Sequence, residues 1–358
     1  MMEKNIDEFY MKIAIEEAVK GVGETSPNPL VGAVIVKNNE IIGKGFHEKY
    51  GENHAEVNAI KNVYEKGYCT KSATIYVTLE PCSHYGNTPP CVNAIIEAGI
   101  SRVVIASNDP NPKVDGINFL RENGICVTEN VLKEKADAIN VSFFHYIKHK
   151  MPFILMKYAM TLDGKIATKT GDSKYITGPD SLAHVHLLRG KYTAIMVGVN
   201  TVLADDPQLT CRAENGRNPI RIIMDTTLRT PISAKVVREG TIIVTESNET
   251  SAFEEKGVKI IKADTRNIKE VLAKLGEIKI DSILLEGGAT LNYSFIEVGC
   301  VNKIYAYISP KIFGGKEAFT PVAGLGVSKI AEALKLENLK IKQLGHDILV
   351  EGDVCLQE

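Results

Sequence analysis

The chain has 358 residues, 44% hydrophobic and 24% charged, with a formal net charge of −2 and a pI near 6.5. These values exclude a disordered chain, offer no electrostatic footprint for a nucleic-acid backbone or an anionic membrane, and suit two cores of roughly 150 to 200 residues each. Seven cysteines, scattered at 69, 82, 91, 126, 211, 300 and 355, form no disulfide framework, so a reducing cytoplasm is the expected compartment. The acid-containing start at Met1 to Asn5 is unlike a signal peptide, and no apolar run nears the roughly 18 residues that span a bilayer.

Apolar positions at helical spacing predict a first helix over Asp7–Lys20, with Phe9, Ile13 and Ala14 on one face. The loop Ser26-Pro27-Asn28-Pro29 precedes a strand at Val31–Val36, a turn at Lys37-Asn38-Asn39-Glu40 and a pairing strand at Ile41–Phe46. A helix from about His54 to Glu65, a strand over Thr74–Leu79, a helix opening near Pro89-Pro90, and strands at Arg102–Ala106 and Ile125–Thr128 follow; Leu132–Lys148 reads as one helix. The polar stretch His145 to Lys150 before Pro152 sets a boundary between domains 1–148 and 149–358. Strands near Phe153–Tyr158, Ala194–Val197, Ile220–Met224, Thr241–Val244, Ser282–Leu285 and Lys303–Ile308 make the second domain α/β as well.

His54-Ala55-Glu56 stands 28 residues before Cys82, which follows Pro81 at the end of a strand, and Cys91 comes after an eight-residue insert. One imidazole and two thiolates supply three ligands to a single Zn2+ and leave a fourth tetrahedral corner open for water, as a catalytic site requires. Zinc lowers the pKa of that water toward neutrality, and Glu56, close to His54 without being a ligand, is placed to carry its proton to a departing amino group. Placing His54 and Cys91 in the first turns of their helices would let the helix dipoles favour the thiolates. Taken singly, His54 is a helix cap, Glu56 a solvated charge and each cysteine a small apolar side chain; the four in this order, with Pro81, point to base deamination. His84, in the insert, is a rival ligand whose closeness to Cys82 favours a substrate contact or a loop hydrogen bond instead.

The segments Thr25-Ser26-Pro27-Asn28-Pro29-Leu30-Val31-Gly32, His54-Ala55-Glu56, Pro81-Cys82-Ser83-His84-Tyr85-Gly86-Asn87-Thr88-Pro89-Pro90-Cys91 and Asp109-Pro110-Asn111-Pro112 resemble the deaminase half of the bifunctional deaminase/reductases of riboflavin biosynthesis. Cytidine and tRNA adenosine deaminases are similar but carry two residues, not eight, between the cysteines. The resemblance implies zinc on His54, Cys82 and Cys91, Glu56 as proton shuttle, and Asn28 near the pyrimidine. Two departures concern the substrate phosphate: Asn87 stands where a basic residue is expected, and Val114-Asp115-Gly116-Ile117-Asn118 is shorter than the family's glycine-rich loop.

In the second half no Gly-x-Gly-x-x-Gly follows a strand, which leaves a Rossmann nicotinamide site unsupported. Lys157 to Ala167 closes the first strand with a turn, Val197 to Pro207 ends another at a small-residue loop, and Glu286-Gly287-Gly288-Ala289-Thr290 joins a strand to a helix whose free amides suit a phosphate. A Gly-Gly turn alone is more often an ordinary connection, and Asp205-Asp206 alone a solvated pair. Together these segments resemble the reductase half of the same family, so that the resemblance runs from about Asp7 to Gly352. It implies an N-terminal cytidine-deaminase-like three-layer domain and a C-terminal dihydrofolate-reductase-like domain, both α/β. It further implies NADPH near Ala159, Tyr175, Thr201, Asp205 and Gly288 onward, and a phosphoribosyl pyrimidine near Ser173, Arg189, Leu209, Arg212 and Glu286. The forks of Arg189 and Arg212 suit paired hydrogen bonds to phosphate, with surface salt bridging as the alternative. The hydride comes from the cofactor, so the protein mainly orients the partners.

Two other readings compete. One is a deaminase with a non-catalytic C-terminal domain that packs or oligomerises, against which Thr201, Asp205-Asp206 and Glu286-Gly287-Gly288 count. The other is an RNA-binding protein, which would call for a basic stripe with interleaved aromatics; aromatics are 6% and tryptophan is absent. The expected partner is a small molecule, with no nucleic acid or membrane and room for a homo-oligomer.

Overall fold

Ile75, Val77 and Leu79 alternate with Tyr76 and Thr78 along one strand, and both sets are buried, the mark of a sheet covered on both faces. The computed structural model describes residues 2–86 and 88–355, so Asn87 lies outside the described residues. The chain divides into two compact units, Met1–His149 and Lys150–Glu358.

The first unit runs α1 (Met2–Ala18), β1 (Gly32–Lys37), β2 (Glu40–Phe46), α2 (Ala55–Glu65), β3 (Thr74–Leu79), α3 (Cys91–Glu97), β4 (Arg102–Ser107), α4 (Gly116–Glu122), β5 (Cys126–Thr128), α5 (Lys133–Ile139) and α6 (Val141–His149). Its sheet has the order β2-β1-β3-β4-β5, with β1 antiparallel to both neighbours and β3, β4 and β5 parallel. Ala33, Ile35, Ile75, Val77, Val103 and Ile105 pack against Ala59 and Val63 of α2, Val92 and Ile95 of α3 and Leu120 of α4. Val34, Val36, Tyr76, Val104 and Ala106 face Tyr10, Met11 and Ala14 of α1 and Ala136 of α5. This is the expected three-layer arrangement.

Two expectations need correction. The helix read over Leu132–Lys148 is two, interrupted at Asn140, whose buried side chain is taken up by the backbone of Leu30 instead of pointing to solvent; an asparagine that bonds backbone elsewhere does not favour a helix interior. The segment 114–118 is not simply a short loop, because α4 begins at Gly116: the Asp115 amide donates to Ser83 Oγ at 2.9 Å and Asn118 Nδ2 donates to the Asp115 carboxylate.

The second unit contains β6 (Phe153–Thr161), α7 (Pro179–Lys191), β7 (Ala194–Gly198), α8 (Val199–Asp205), β8 (Ile220–Met224), β9 (Ile242–Thr245), α9 (Ser251–Glu254), β10 (Lys259–Lys262), α10 (Ile268–Glu277), β11 (Ser282–Leu285), α11 (Ala289–Glu297), β12 (Lys303–Ser309), β13 (Leu336–Leu344) and β14 (Asp347–Val354). The sheet order is β10-β9-β8-β7-β11-β6-β12-β14-β13, parallel as far as β12 and antiparallel through β14 and β13. One face packs on α10 and α11 through Val271, Leu275 and Phe295, the other on α7, α8 and α9 through Leu188, Val202 and Phe253. The small-residue loop expected after Val197 is a helix: Gly198 is its N-cap and Thr201 and Asp205 lie on it. Strands β10, β13 and β14 add to those expected from the sequence. Among the described residues no helix is long and apolar enough to cross a membrane.

Gly116 shows how tightly the first unit is closed around its strand ends. A Cβ there would sit 2.0 Å from the Pro81 carbonyl oxygen, so α4 approaches the turn that carries Cys82 as only glycine allows. Gly116→Ala should destabilise the protein by roughly 1–3 kcal/mol and displace the Pro81-Cys82 turn. Denaturant unfolding together with zinc content checks this; unchanged stability and metal would mean that the turn accommodates a methyl group.

Candidate active sites

Three segments meet at the end of β3. The chain leaves Leu79 through Glu80 and Pro81 to Cys82; α2 starts at Ala55 with His54 as its extended N-cap; α3 starts at Cys91, after Pro90. Among the described residues the ligand atoms of His54, Cys82 and Cys91 converge, all within 4.8 Å of one another. His54 Nδ1 is 3.2 Å from Cys91 Sγ and 3.5 Å from Cys82 Sγ. A tetrahedral zinc with bonds near 2.0 Å to nitrogen and 2.3 Å to sulfur spaces those atoms by roughly 3.5 Å, so the residues fit this metal and leave one corner free.

The electrostatics fit as well. Hydrogen bonding from the Cys91 thiol, and then His54 and the Cys91 amide at 3.3 Å, hold Cys82 down to about 4 against the cost of burial. Cys91 is raised by the same shared proton and by burial. A divalent cation takes the place of that proton. Glu56, in the first turn of α2, is 3% exposed; burial pushes its carboxyl up to about 7, with the His54 charge opposing.

His47, which carries no sequence signal, completes this corner. Its ring is buried and lies edge-on to His54 at 5.3 Å. Burial lowers its pKa and favours the neutral ring, and because the Asn53 carbonyl 3.0 Å from Nδ1 can only accept, Nδ1 carries the hydrogen. Nε2 must then accept from Asn28 Nδ2 at 3.1 Å, which leaves the Asn28 amide oxygen for a ligand. Glu80, also unforeseen, accepts from the Asp109 and Ile117 amides and so ties the Asp109-Pro110-Asn111-Pro112 loop and the start of α4 to the end of β3. His84 is not part of the convergent ligand set, and its Nδ1 is buried without a hydrogen-bond partner among the described residues.

In the second unit Ala159 of β6, Thr201 of α8 after β7, and Glu286 and Gly288 after β11 lie toward the carboxyl ends of three adjacent parallel strands, where open α/β sheets bind ligands. Glu286 follows β11 and receives Arg189 in a fork, Nε to Oε1 at 2.9 Å and Nη2 to Oε2 at 3.0 Å, with Lys157 Nζ 3.6 Å away. Burial alone would raise the Glu286 carboxyl; Lys157 and Arg189 overcome it and hold it down to about 2. The Arg189 fork is therefore already occupied by Glu286, and its Nη1 by the Thr210 carbonyl. Arg212 is exposed, and its guanidinium makes no ion pair among the described residues. The Leu209 side chain is buried in the core, so this residue has only backbone to offer a ligand. Ser173 Oγ donates to Asp205 Oδ1 at 3.3 Å, Tyr175 is 74% exposed, and Ala159 lies on β6 beside Tyr307 of β12. Gly288 is the N-cap of α11 with no side-chain cap, and a Cβ on it would stand 3.7 Å from Thr201 Oγ1. Open amides and a space that glycine keeps free fit a nucleotide phosphate.

Residues 4–107 match the cytidine and deoxycytidylate deaminase zinc-binding region, and residues 152–350 match the RibD C-terminal domain. The riboflavin biosynthesis protein RibD of Actinobacillus pleuropneumoniae is 49% identical over 96% of this chain and 94% of its own length, and that of Aquifex aeolicus 45% over 98% and 99%. The chain belongs to the RibD family. A crystal structure of the Thermotoga maritima diaminohydroxyphosphoribosylaminopyrimidine deaminase/5-amino-6-(5-phosphoribosylamino)uracil reductase, 40% identical, covers 99% of this chain and 100% of its own with a TM-score of 0.90. As a RibD protein the chain is a bifunctional enzyme of riboflavin biosynthesis, a cytidine-deaminase-like zinc deaminase joined to an NADPH-dependent reductase, and it acts on a small pyrimidine.

The three-ligand set predicts about one zinc per chain, lost in Cys82→Ser because a serine hydroxyl does not ionise to replace the thiolate. Metal analysis of purified protein measures it, and full zinc in the variant would remove Cys82 from the site.

Proposed function

We propose that the unit Met1–His149 deaminates 2,5-diamino-6-(5-phosphoribosylamino)pyrimidin-4(3H)-one to 5-amino-6-(5-phosphoribosylamino)uracil and that Lys150–Glu358 then reduces the ribosyl group to the ribityl chain. The observation that carries the first assignment is the convergence of His54, Cys82 and Cys91 beside a buried Glu56. Zinc, when bound by those three side chains, supplies a Lewis acid that activates water for attack on the amino-bearing carbon. Glu56 takes the proton released by that water and delivers it to the departing ammonia, so that carbon exchanges an amino nitrogen for oxygen. Asn28, its amide fixed by His47, presents its oxygen to the pyrimidine.

For reduction, Gly288, Thr201, Asp205, Ala159 and Tyr175 would hold NADPH, which when bound would supply the hydride for C1 of the opened ribosylamine. Ser173 and Asp205, hydrogen-bonded to each other, link the cofactor side to the substrate side. Arg189 holds the Glu286 carboxylate in one orientation toward the substrate, the backbone at Leu209 borders it, and Arg212, whose guanidinium makes no ion pair among the described residues, takes the phosphate. This divides the two arginines: one positions a carboxylate, the other binds.

A cytoplasmic enzyme without nucleic-acid or membrane partners is supported by the near-neutral charge and by seven free cysteines. Self-association is supported by the edge strand β13, where Leu339 and Ile341 are exposed.

Glu56→Gln should keep zinc while deamination falls by at least about 100-fold, the loss typical of a missing general acid–base; reduction of separately supplied deaminated substrate should persist. Near-normal deamination would end the assignment of Glu56.

Arg212→Ala should raise KM for reduction by about tenfold with little change in kcat, as expected when binding is lost equally from ground and transition states. Arg189→Ala should instead lower kcat, because it leaves Glu286 unpaired and misoriented. Steady-state NADPH oxidation with both variants measures the split; if the two variants swap behaviour, Arg189 is the phosphate ligand and Arg212 the positioning residue.

A further inference from the structure

The break between α5 and α6 coincides with a long-range contact that nothing in the zinc chemistry requires. Asn140 is 3% exposed. Its Oδ1 accepts from the Leu30 amide at 2.8 Å and its Nδ2 donates to the Leu30 carbonyl at 2.9 Å, across a separation of 110 residues. One planar amide thus satisfies both backbone groups of a single residue, as a neighbouring strand would. The backbone of Asn140 is occupied separately: its amide donates to the Asp137 carbonyl and its own carbonyl accepts from Phe144. The side chain is therefore committed wholly to Leu30.

Leu30 lies two residues beyond Asn28 and two before the start of β1. At its other end the short loop is anchored by the Asn28 amide, which donates to the Thr25 carbonyl at 2.8 Å. Beyond Leu30, the Val31 carbonyl accepts from the His47 amide at 2.9 Å, and His47 in turn fixes the Asn28 side chain. Asn28 is held from below by His47 and along the chain by Leu30, and Leu30 is held by Asn140.

We infer that Asn140 is a positioning residue of the deaminase: it sets the depth of the Thr25–Leu30 loop and hence the placement of the Asn28 amide against the pyrimidine. The inference rests on the reading of Asn28 as a pyrimidine contact. No other side chain of similar size substitutes. Aspartate keeps the acceptor but loses the donor and faces the Leu30 carbonyl with an oxygen; leucine leaves both Leu30 groups without partners. Loss of the contact lets the loop shift without touching His54, Cys82, Cys91 or Glu56, so binding of the pyrimidine should suffer while the metal and the proton shuttle remain.

The test uses full-length, zinc-loaded protein with Asn140→Ala, Asn28→Ala and the double variant. In Asn140→Ala, KM for deamination should rise by about tenfold, the equivalent of one good hydrogen bond, with kcat within about threefold, zinc content unchanged and the reductase reaction unaffected. On the Asn28→Ala background the same substitution should raise KM no further, because a residue that acts through Asn28 has nothing left to position. Hydrogen exchange should quicken at the Leu30 amide while the amides of β3 and β4 stay protected. Asn140→Ser, which is smaller and puts no charge against the Leu30 carbonyl, serves if the alanine variant fails to fold and should raise KM in the same direction. An unchanged KM, an additive effect on the Asn28→Ala background, or exchange that quickens throughout the unit would overturn the inference. If Asn28→Ala itself leaves KM unaltered, the pyrimidine role of Asn28 fails, and the Leu30 exchange still reports whether Asn140 holds the loop.

Discussion

Bringing one imidazole and two thiolates to a common point is the constraint on which the deaminase unit is built. The three ligands belong to no single element: one caps α2, one follows β3, and one opens α3. Each is at a place where the chain changes direction, so their mutual distances depend on how closely two helix starts approach a strand end. Glycines set that approach. A Cβ on Gly45 of β2 would fall 2.3 Å from the Ala59 amide nitrogen and 2.6 Å from the Ala55 carbonyl, so α2 lies directly on the sheet and carries His54 and Glu56 to a fixed height. Gly116 performs the corresponding service for α4 against Pro81. The chemistry is local, but the precision with which its atoms meet comes from close backbone contacts at α2 and at α4.

The reductase unit reaches a comparable precision by charge. Lys157, Arg189 and Glu286 come from β6, α7 and the end of β11, with side-chain exposures of 14%, 17% and 12%. Burying a carboxylate is costly, and removing one partner of such a pair leaves an uncompensated charge. Glu286 remains ionised because a lysine and an arginine together outweigh its burial. The pairing gives orientation first, since the guanidinium fork admits one arrangement of the two oxygens.

The zinc quartet is readable from the sequence because ligand identity, order and strand–helix context are local properties. The two sheets are legible for a similar reason: doubly covered strands such as Val103–Ala106 and Ser282–Leu285 are short apolar runs. What escapes a sequence reading depends on partners far away in the chain. The pairing of Arg189 with Glu286 spans 97 residues, and Asn140 resembles an interior position of a helix because its partner is Leu30. Strand β13 gives no signal because Leu336–Leu344 mixes lysine, glutamate and asparagine with apolar residues, the composition of an exposed edge. The stretch after Gly198 has the small residues of a loop, whereas the glycine in fact caps a helix.

Hydrogen bonds have a direction, and in the deaminase that direction is settled before any substrate enters. The Asn53 carbonyl can only accept, so the hydrogen of neutral His47 must sit on Nδ1, and Nε2 must accept from Asn28. The Asn28 amide is thereby turned with its nitrogen inward and its oxygen available, a choice that an isolated asparagine would leave open at no cost. A ring presenting an N–H to that oxygen is matched, whereas one presenting a lone pair leaves the amide oxygen facing another acceptor, with desolvation unrepaid. On the proposed role of Asn28 as a pyrimidine contact, the selectivity that follows is one of protonation pattern, imposed two residues away from the recognising atom. Reversing it would require rotating Asn28 and adding a proton to Nε2 of His47, which the burial of that ring opposes; specificity of this kind therefore comes from a chain of donors and acceptors in which each member constrains the next.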